Sequence, residues 1–296
     1  SIQSGHRADA TAMRALFLIP GGSSQQLQAF AAVDAVAEQL KAHVQVVCPT
    51  ATAALWQLHP AVEKVIPFAF NDATMADWAN LLGSVREPDF QLCLNRASGR
   101  QVDLMLSMSH IPTRIATSGF SATEKIQASA NPWPNQAWEA DLKPVGVSLN
   151  AEAFRLPLAK AGLDAAAAAL PPGEGPALLL APWGTANDWP QAQWQHLPER
   201  ILSKLPTLRV VNAAPVDSAP TVAGAAKRAA QVASADVVVT SDPETIEWAL
   251  LLGLPLVALG RPADSLPPRQ GVQSLGTALE LATISMESVL TALGFG

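Results

Sequence analysis

SADVVVTSDPETIEWALLLGLPLVALGRPAD, residues 234–264, decides the fold class. ADVVVTS (235–241) is an apolar, β-branched run, ETIEWALLLG (244–253) repeats its apolar residues at helical spacing, and PLVALG (255–260) is a second apolar run closed by glycine. Strands of this kind, apolar throughout and not alternating, are buried on both faces. A helix between two such strands brings the chain back to the edge where it started, so the strands lie parallel.

Outward from this stretch the same alternation repeats. Upstream lie ALLLAP (177–182), a helix over 191–203, the strand LRVVN (208–212) and a helix over 222–233. The first half opens with RALFLI (14–19), closed by Pro20-Gly21-Gly22, and a helix over 25–41 that spaces Leu27, Phe30, Ala31, Val33, Ala37 and Leu40 along one face. HVQVVC (43–48), a short helix at 51–58, KVIPF (64–68), a helix at 74–86, FQLCL (90–94), a helix near 100–108 and TRIAT (113–117) follow. Between the halves, 118–176 is rich in Pro and Ala. Its part from 131 reads as an interdomain connection with one or two short helices, in which Trp133 and Trp138 plug the hinge. The expected fold is therefore α/β, with two Rossmann-like domains, 13–150 and 151–296, facing across a cleft at the carboxyl ends of their strands. The amphipathic segment 278–293 is expected to pack back across the first half. Residues 1–12 are polar and aperiodic and read as a disordered lead or an expression remnant.

Composition excludes several classes. Hydrophobic residues make up 49% of the 296 and charged residues 15%, yet no apolar run approaches the ~20 residues needed to span a bilayer. A net charge of −6 leaves no basic stripe for nucleic acid or an anionic membrane surface. Cys48 and Cys93 both sit in strand-like runs and read as buried thiols in a reducing, cytoplasmic compartment. His6, His43, His59, His110 and His196 have no ligand-like spacing, so no metal site and no cofactor is expected.

Four stretches carry more than fold class. HPAVEKVIPF (59–68), MRALFLIPGGSSQQLQAFAAVDAVAEQL (13–40), APWGTANDWPQAQW (181–194) and residues 234–264 resemble, in order, segments of the bacterial lipopolysaccharide heptosyltransferases, glycosyltransferase family 9 of GT-B fold. That resemblance implies metal-independent, inverting transfer of a sugar from a nucleotide diphosphate, with the acceptor on the N-terminal half and the donor on the C-terminal half. A carboxylate after the first strand would take the proton from the attacking hydroxyl. Cations and helix N-termini would hold the departing diphosphate.

The departures from the family pattern fall on those working positions. The loop Asp aligns with Gln25, or with Gln26 after a slip of one residue, and an amide is no base. Asn187-Asp188 stand where the family has Lys before Trp189-Pro190. Asp242 is kept, but Pro243 and Glu244 replace Thr-Gly, and Glu247 replaces His. The stretch between Asn212 and Ala235 is short, as if trimmed near the nucleotide site. The candidate ligand-binding residues are thus Gly21, Gly22, Ser23, Gln25, Trp183, Gly184, Thr185, Asn187, Asp242, Glu244, Glu247 and Arg261, with no catalytic residue assigned among them. Lys227 and Arg228 are nearby cations outside the matched motifs.

Each has a structural alternative. Gly21-Gly22 reads as a tight turn before it reads as a phosphate cradle, and Ser23 or Ser24 as an N-cap before a nucleophile. Asp242 is a standard N-cap for the helix at 244, and Glu244 and Glu247 are dipole partners in its first turn. Trp183, Trp189 and Trp194 could stack a base or sugar, with Trp189 the packing residue that starts its helix. His59 is a helix-end residue. Two functions compete: a heptosyltransferase-fold protein that has lost sugar transfer and serves as a binding or scaffold protein, or an active inverting transferase with a relocated base and clamp. The expected partners are a nucleotide-sugar, bound weakly or no longer, or a protein partner that the sequence does not identify.

Overall fold

The structure, a computed structural model, describes residues 12–296, so the polar lead lies outside the described residues except for Ala12. The chain forms two compact units, the first ending at Ala151 and the second running Glu152–Gly296.

The first unit holds β1 (Met13–Leu18), β2 (Ala42–Cys48), β3 (Val62–Pro67), β4 (Leu92–Asn95), β5 (Thr113–Ala116) and β6 (Glu124–Lys125). They pair in the order β3-β2-β1-β4-β5-β6, every pair parallel. Helices cover both faces, so central β1 is fully buried from Ala15 to Leu18. Edge strand β3 instead exposes Glu63 and Lys64, charges that discourage pairing with another chain. β6 escaped the sequence reading because two exposed, charged residues carry no strand pattern. The helix expected over 25–41 is two, Ser23–Gln28 and Phe30–Gln39, separated at Ala29. Cys48 and Cys93 are buried thiols as expected, and burial pushes them up to about 11 and about 12.

The connection is split between the units: 131–151 belongs to the first, and the rest, with the helix Lys160–Ala168, to the second. Trp138 is buried in the first part, its ring 5.7 Å from Phe17 and stacked under the Arg96 guanidinium at 3.7 Å. Arg96 also grips Asp141 through Nε and Nη2, both at 2.8 Å. Trp138 thus caps a sheet face rather than plugging a hinge, because the short helices Pro134–Ala137 and Glu139–Leu142 lay it over β1.

The second unit holds β7 (Ala177–Ala181), β8 (Arg209–Asn212), β9 (Val237–Thr240), β10 (Leu256–Leu259) and β11 (Val272–Leu275), in the parallel order β11-β10-β9-β7-β8. β11 was not foreseen: VQSL at the sheet edge is neither strongly apolar nor alternating. Of the segment 278–293 only a 3-10 turn at Leu281–Thr283 and an α-helix at Met286–Ala292 form, and Met286, Val289 and Leu290 fill the core of this same unit with Trp189, Trp194 and Leu197. Trp189 is the packing residue expected of it. Its indole donates to the Ile284 carbonyl at 2.9 Å and meets Trp194 edge-on at 5.1 Å.

His59 follows the short helix Ala53–Trp56 and is 2% exposed. Its Nε2 lies 3.0 Å from the Phe30 carbonyl and its Nδ1 accepts from Ala61 N at 3.1 Å, an arrangement that needs the neutral ring. Burial pushes it down from 6.5 to about 4, against a smaller opposing effect of the Phe30 bond. The unfolded chain therefore binds a proton below pH 6.5 that the fold refuses until about pH 4. The stabilisation is complete above pH 6.5 and is lost as pH falls through about 4, on the order of 3 kcal/mol for a shift of this size. By urea unfolding, the wild type should lose about 3 kcal/mol more stability than His59→Gln between pH 7 and pH 4; parallel profiles would show that His59 is not the titrating group.

Candidate functional site

In the first unit, β1 leads through Ile19 and Pro20 into Gly21-Gly22 and the helix Ser23–Gln28. Gln26 is fully buried and organises this turn. Its Nε2 donates to the carbonyls of Ile19 and Gly21, both at 2.8 Å, and its Oε1 accepts from the Trp56 indole at 2.6 Å. Gln25, by contrast, is exposed, and its side chain folds over the turn: a Cβ on Gly21 would stand 2.6 Å from Gln25 Cβ. Gly21 is therefore glycine for room, not for a positive φ. Ser23 is the first helical residue; the N-cap is Gly22 and no side chain caps it, which corrects the reading of Ser23 or Ser24 as the cap.

In the second unit, the loop after β7 is drawn against the end of β9. Asp188 Oδ2 accepts from Gly184 N at 3.0 Å, and its Oδ1 accepts from Trp189 N at 2.7 Å and from Ser241 Oγ at 2.6 Å. Ser241 Oγ in turn accepts from Trp183 N at 2.9 Å. Asp188 is thus the residue that shapes the loop. Gly184 takes φ +81°, and Trp183, Thr185 and Asn187 stand exposed beside it. Trp183 is 46% exposed, while Trp189 and Trp194 are core.

The helix Pro243–Leu252 begins where that loop is anchored. A helix N-terminus offers an anion its unsatisfied N–H groups. Here Pro243 at the first helical position has no N–H, and Asp242 Oδ2 accepts from Thr245 N at 2.8 Å and from Thr245 Oγ1 at 2.5 Å. Asp242, Glu244 and Glu247 are all buried, at 6%, 6% and 0% exposure. The cap expected of Asp242 is present, but burial of Glu244 and Glu247 makes them more than solvated dipole partners.

Two guanidinium groups accompany these acids. Arg261 donates from Nη1 to Glu247 Oε1 at 3.3 Å, from Nε to Ser265 Oγ and from Nη2 to the Ser265 carbonyl, each at 3.1 Å. Arg228, on the helix Val222–Ala233, donates to the Ala214 carbonyl at 2.7 Å and to Thr245 Oγ1 at 3.2 Å. Burial lowers its pKa, and the charges of Asp242 and Glu244 oppose that shift. The structure therefore brings Asp242, Glu244, Glu247 and Arg261 together at one helix end, as the sequence reading grouped them. It adds Arg228, which the sequence reading noted as a nearby cation outside the matched motifs, and Ser241, Thr245 and Ser265, which that reading missed. Lys227 and Arg228 are the only charged residues of the helix 222–233, and that was the one available signal.

Among the described residues, no three His, Cys, Asp or Glu side chains cluster to hold a metal ion. No described helix is long and apolar enough to cross a membrane.

The two adjacent glutamines separate cleanly by experiment. Gln26→Ala strands two loop carbonyls and the Trp56 indole and should cost about 2–4 kcal/mol, whereas exposed Gln25→Ala should stay within about 0.5 kcal/mol. Equal denaturation midpoints for the two variants would contradict this assignment.

No protein-family model matches the sequence, and no curated protein does. Solved structures match nearly the whole chain. A family 9 glycosyl transferase from Veillonella parvula superposes with a TM-score of 0.75 at 14% identity, covering 95% of this chain and 96% of that one. ADP-heptose lipopolysaccharide heptosyltransferase II of E. coli gives 0.71 at 16% identity, covering 95% and 98%. The E. coli heptosyltransferase WaaC, solved with ADP, gives 0.69 at 16%, covering 95% and 97%. At such identities the likeness establishes the fold and not the activity. The two parallel α/β units of this chain are those of the GT-B-like, heptosyltransferase-type fold of glycosyltransferase family 9.

Proposed function

We propose that this protein keeps the heptosyltransferase-type fold without sugar transfer and acts as a binding or scaffold protein. The observation that carries this reading is the helix end at Asp242–Glu247, where Asp242 and Arg261 bond within the chain itself. Pro243 supplies no N–H, Asp242 takes the Thr245 N–H, and Arg261 is committed to Glu247 and Ser265. A nucleotide diphosphate carries roughly two to three negative charges and is held by charge-assisted hydrogen bonds from cations and helix N-termini. It would meet three carboxylates here, with Asn187 and Asp188 where the family places its Lys. The first unit adds to this: Gln25 and Gln26 leave no carboxylate in the opening turn, and Gln26 is spent on structure.

The second reading, an active inverting glycosyltransferase with a relocated clamp, draws on the placement of Arg228 and Arg261 at the same helix end. It requires a ligand to outcompete Glu247, a fully buried partner, for Arg261.

Calorimetric titration of ADP- and UDP-sugars at low salt, where screening hides least, decides between them. No binding at micromolar concentrations and no sugar transfer are expected. Micromolar binding abolished by Arg261→Ala or Arg228→Ala would establish the relocated clamp instead.

A further inference from the structure

The chain passes from the first unit to the second at Ala151–Glu152, and it is hydrogen-bonded on both sides of that point. On the first unit's side two glutamine amides hold the backbone. Gln39 Nε2 donates to the Ser148 carbonyl at 2.7 Å, and its Oε1 accepts from Ser148 N at 2.9 Å. Gln136 Nε2 donates to the Leu149 carbonyl at 2.7 Å, and its Oε1 accepts from Ala151 N at 2.9 Å. A primary amide offers a donor and an acceptor side by side, so each glutamine pairs with the chain much as a neighbouring strand would.

On the second unit's side the holders are arginines. Arg269 grips the Glu152 carboxylate twice, Nε to Oε1 at 2.8 Å and Nη2 to Oε2 at 3.2 Å, and its Nη1 donates to the Leu250 carbonyl at 3.0 Å. Arg155 Nη1 donates to the carbonyls of Glu152 at 2.7 Å and Phe154 at 2.8 Å. Leu156 is buried, and its N–H donates to the Leu251 carbonyl at 3.0 Å. Residues 152–156 are thus seated on the C-terminal end of the helix Pro243–Leu252, where two guanidinium groups suit the partial negative charge. Gly253 makes the room. It takes φ +74°, and a Cβ on it would stand 2.6 Å from Arg155 Nε.

Between the last bond to the first unit, at Ala151 N, and the first to the second, at the Glu152 carboxylate, only the torsions of Ala151 and Glu152 remain. Both residues lie in a 3-10 turn, Ala151–Ala153. A flexible linker is rich in Gly and Ser, and LNAEAFRL (149–156) contains neither. Hinges, by contrast, are a few residues at element ends that absorb a change in φ and ψ. We propose that residues 148–156 form a two-sided clasp that takes the slack out of the passage between the units and confines its bending to Ala151 and Glu152. The clasp is independent of whether sugar transfer has been lost.

Two measurements on the full-length protein test it. A glutamate-specific protease needs several residues around its target bond to open, so cleavage under native conditions reads local unfolding. Cleavage after Glu152 should be at least about a hundredfold slower than after Glu174, which lies in an exposed loop. Gln136→Ala and Arg269→Ala, one on each side of the link, should each speed it at least about tenfold and leave cleavage after Glu174 unchanged. By amide hydrogen exchange, Ala151 should lose protection in Gln136→Ala while Leu156 keeps it. Gln39→Ala, at an exposed position, reads Ser148 in the same way should Gln136→Ala not fold. Equal cleavage of the wild type after Glu152 and Glu174 would make the passage a flexible linker and overturn the proposal. Unchanged cleavage and exchange in the folded variants would overturn it as well.

Discussion

Every strand pair in this protein is parallel, so every connection must cross the sheet and both faces of each sheet must be covered. That constraint explains the strand composition: ALFL of β1, VVV of β9 and LVAL of β10 are apolar on both sides because helices lie on both sides. It also explains why so much of the chain is Ala. Helices such as Val222–Ala233 approach a sheet or another helix closely only where side chains are small, as Ala225, Ala229 and Ala230 are. The same arrangement collects the loops that follow the strands at one end of each sheet. Gly21-Gly22, Trp183-Gly184 and Asp242-Pro243 all fall there.

Those loops are held by polar side chains that the chain turns upon itself. Gln26 joins the carbonyls of Ile19 and Gly21 to the Trp56 indole, and Asp188 ties Gly184, Trp189 and Ser241 together. A buried amide or carboxylate must find partners, and the nearest are backbone groups of the same loop. Once so committed, these side chains are poor candidates for chemistry. A general base needs a free lone pair and a pKa near the working pH, and a diphosphate clamp needs cations with donors to spare. Arg261 and Glu247 illustrate the cost of changing either one. Glu247 is fully buried, so removing Arg261 leaves a carboxylate that is expensive to keep ionised, and the pair persists without needing a ligand to justify it.

The aromatic residues divide in the same way. Trp56, Trp133, Trp138, Trp189, Trp194 and Trp248 are interior, while Trp183 is exposed on the loop that Asp188 shapes. The interior group explains how a chain without tyrosine fills the space between sheets and helices: six indoles do that work, three of them fully buried.

Alternation, turns and apolar runs were enough to determine the two α/β halves, nine of the eleven strands and the capping role of Asp242, because each depends on a local pattern or a short sequence offset. The strands that escaped, Glu124–Lys125 and Val272–Leu275, are edge strands, with only one neighbour to impose a pattern. The choice between Gln25 and Gln26 was also beyond the sequence. Neighbouring helical residues point about 100° apart, and only the position of Trp56, thirty residues on, tells which one is inside. The tertiary structure likewise decided that Trp138 covers β1, that the last helix fills the second unit's own core, and that Arg228 reaches Thr245 across 17 residues. Spacing carries information about local hydrogen bonds and faces. Which charges meet, and whether a carboxylate is solvated or buried against an arginine, is set by packing between segments far apart in the chain.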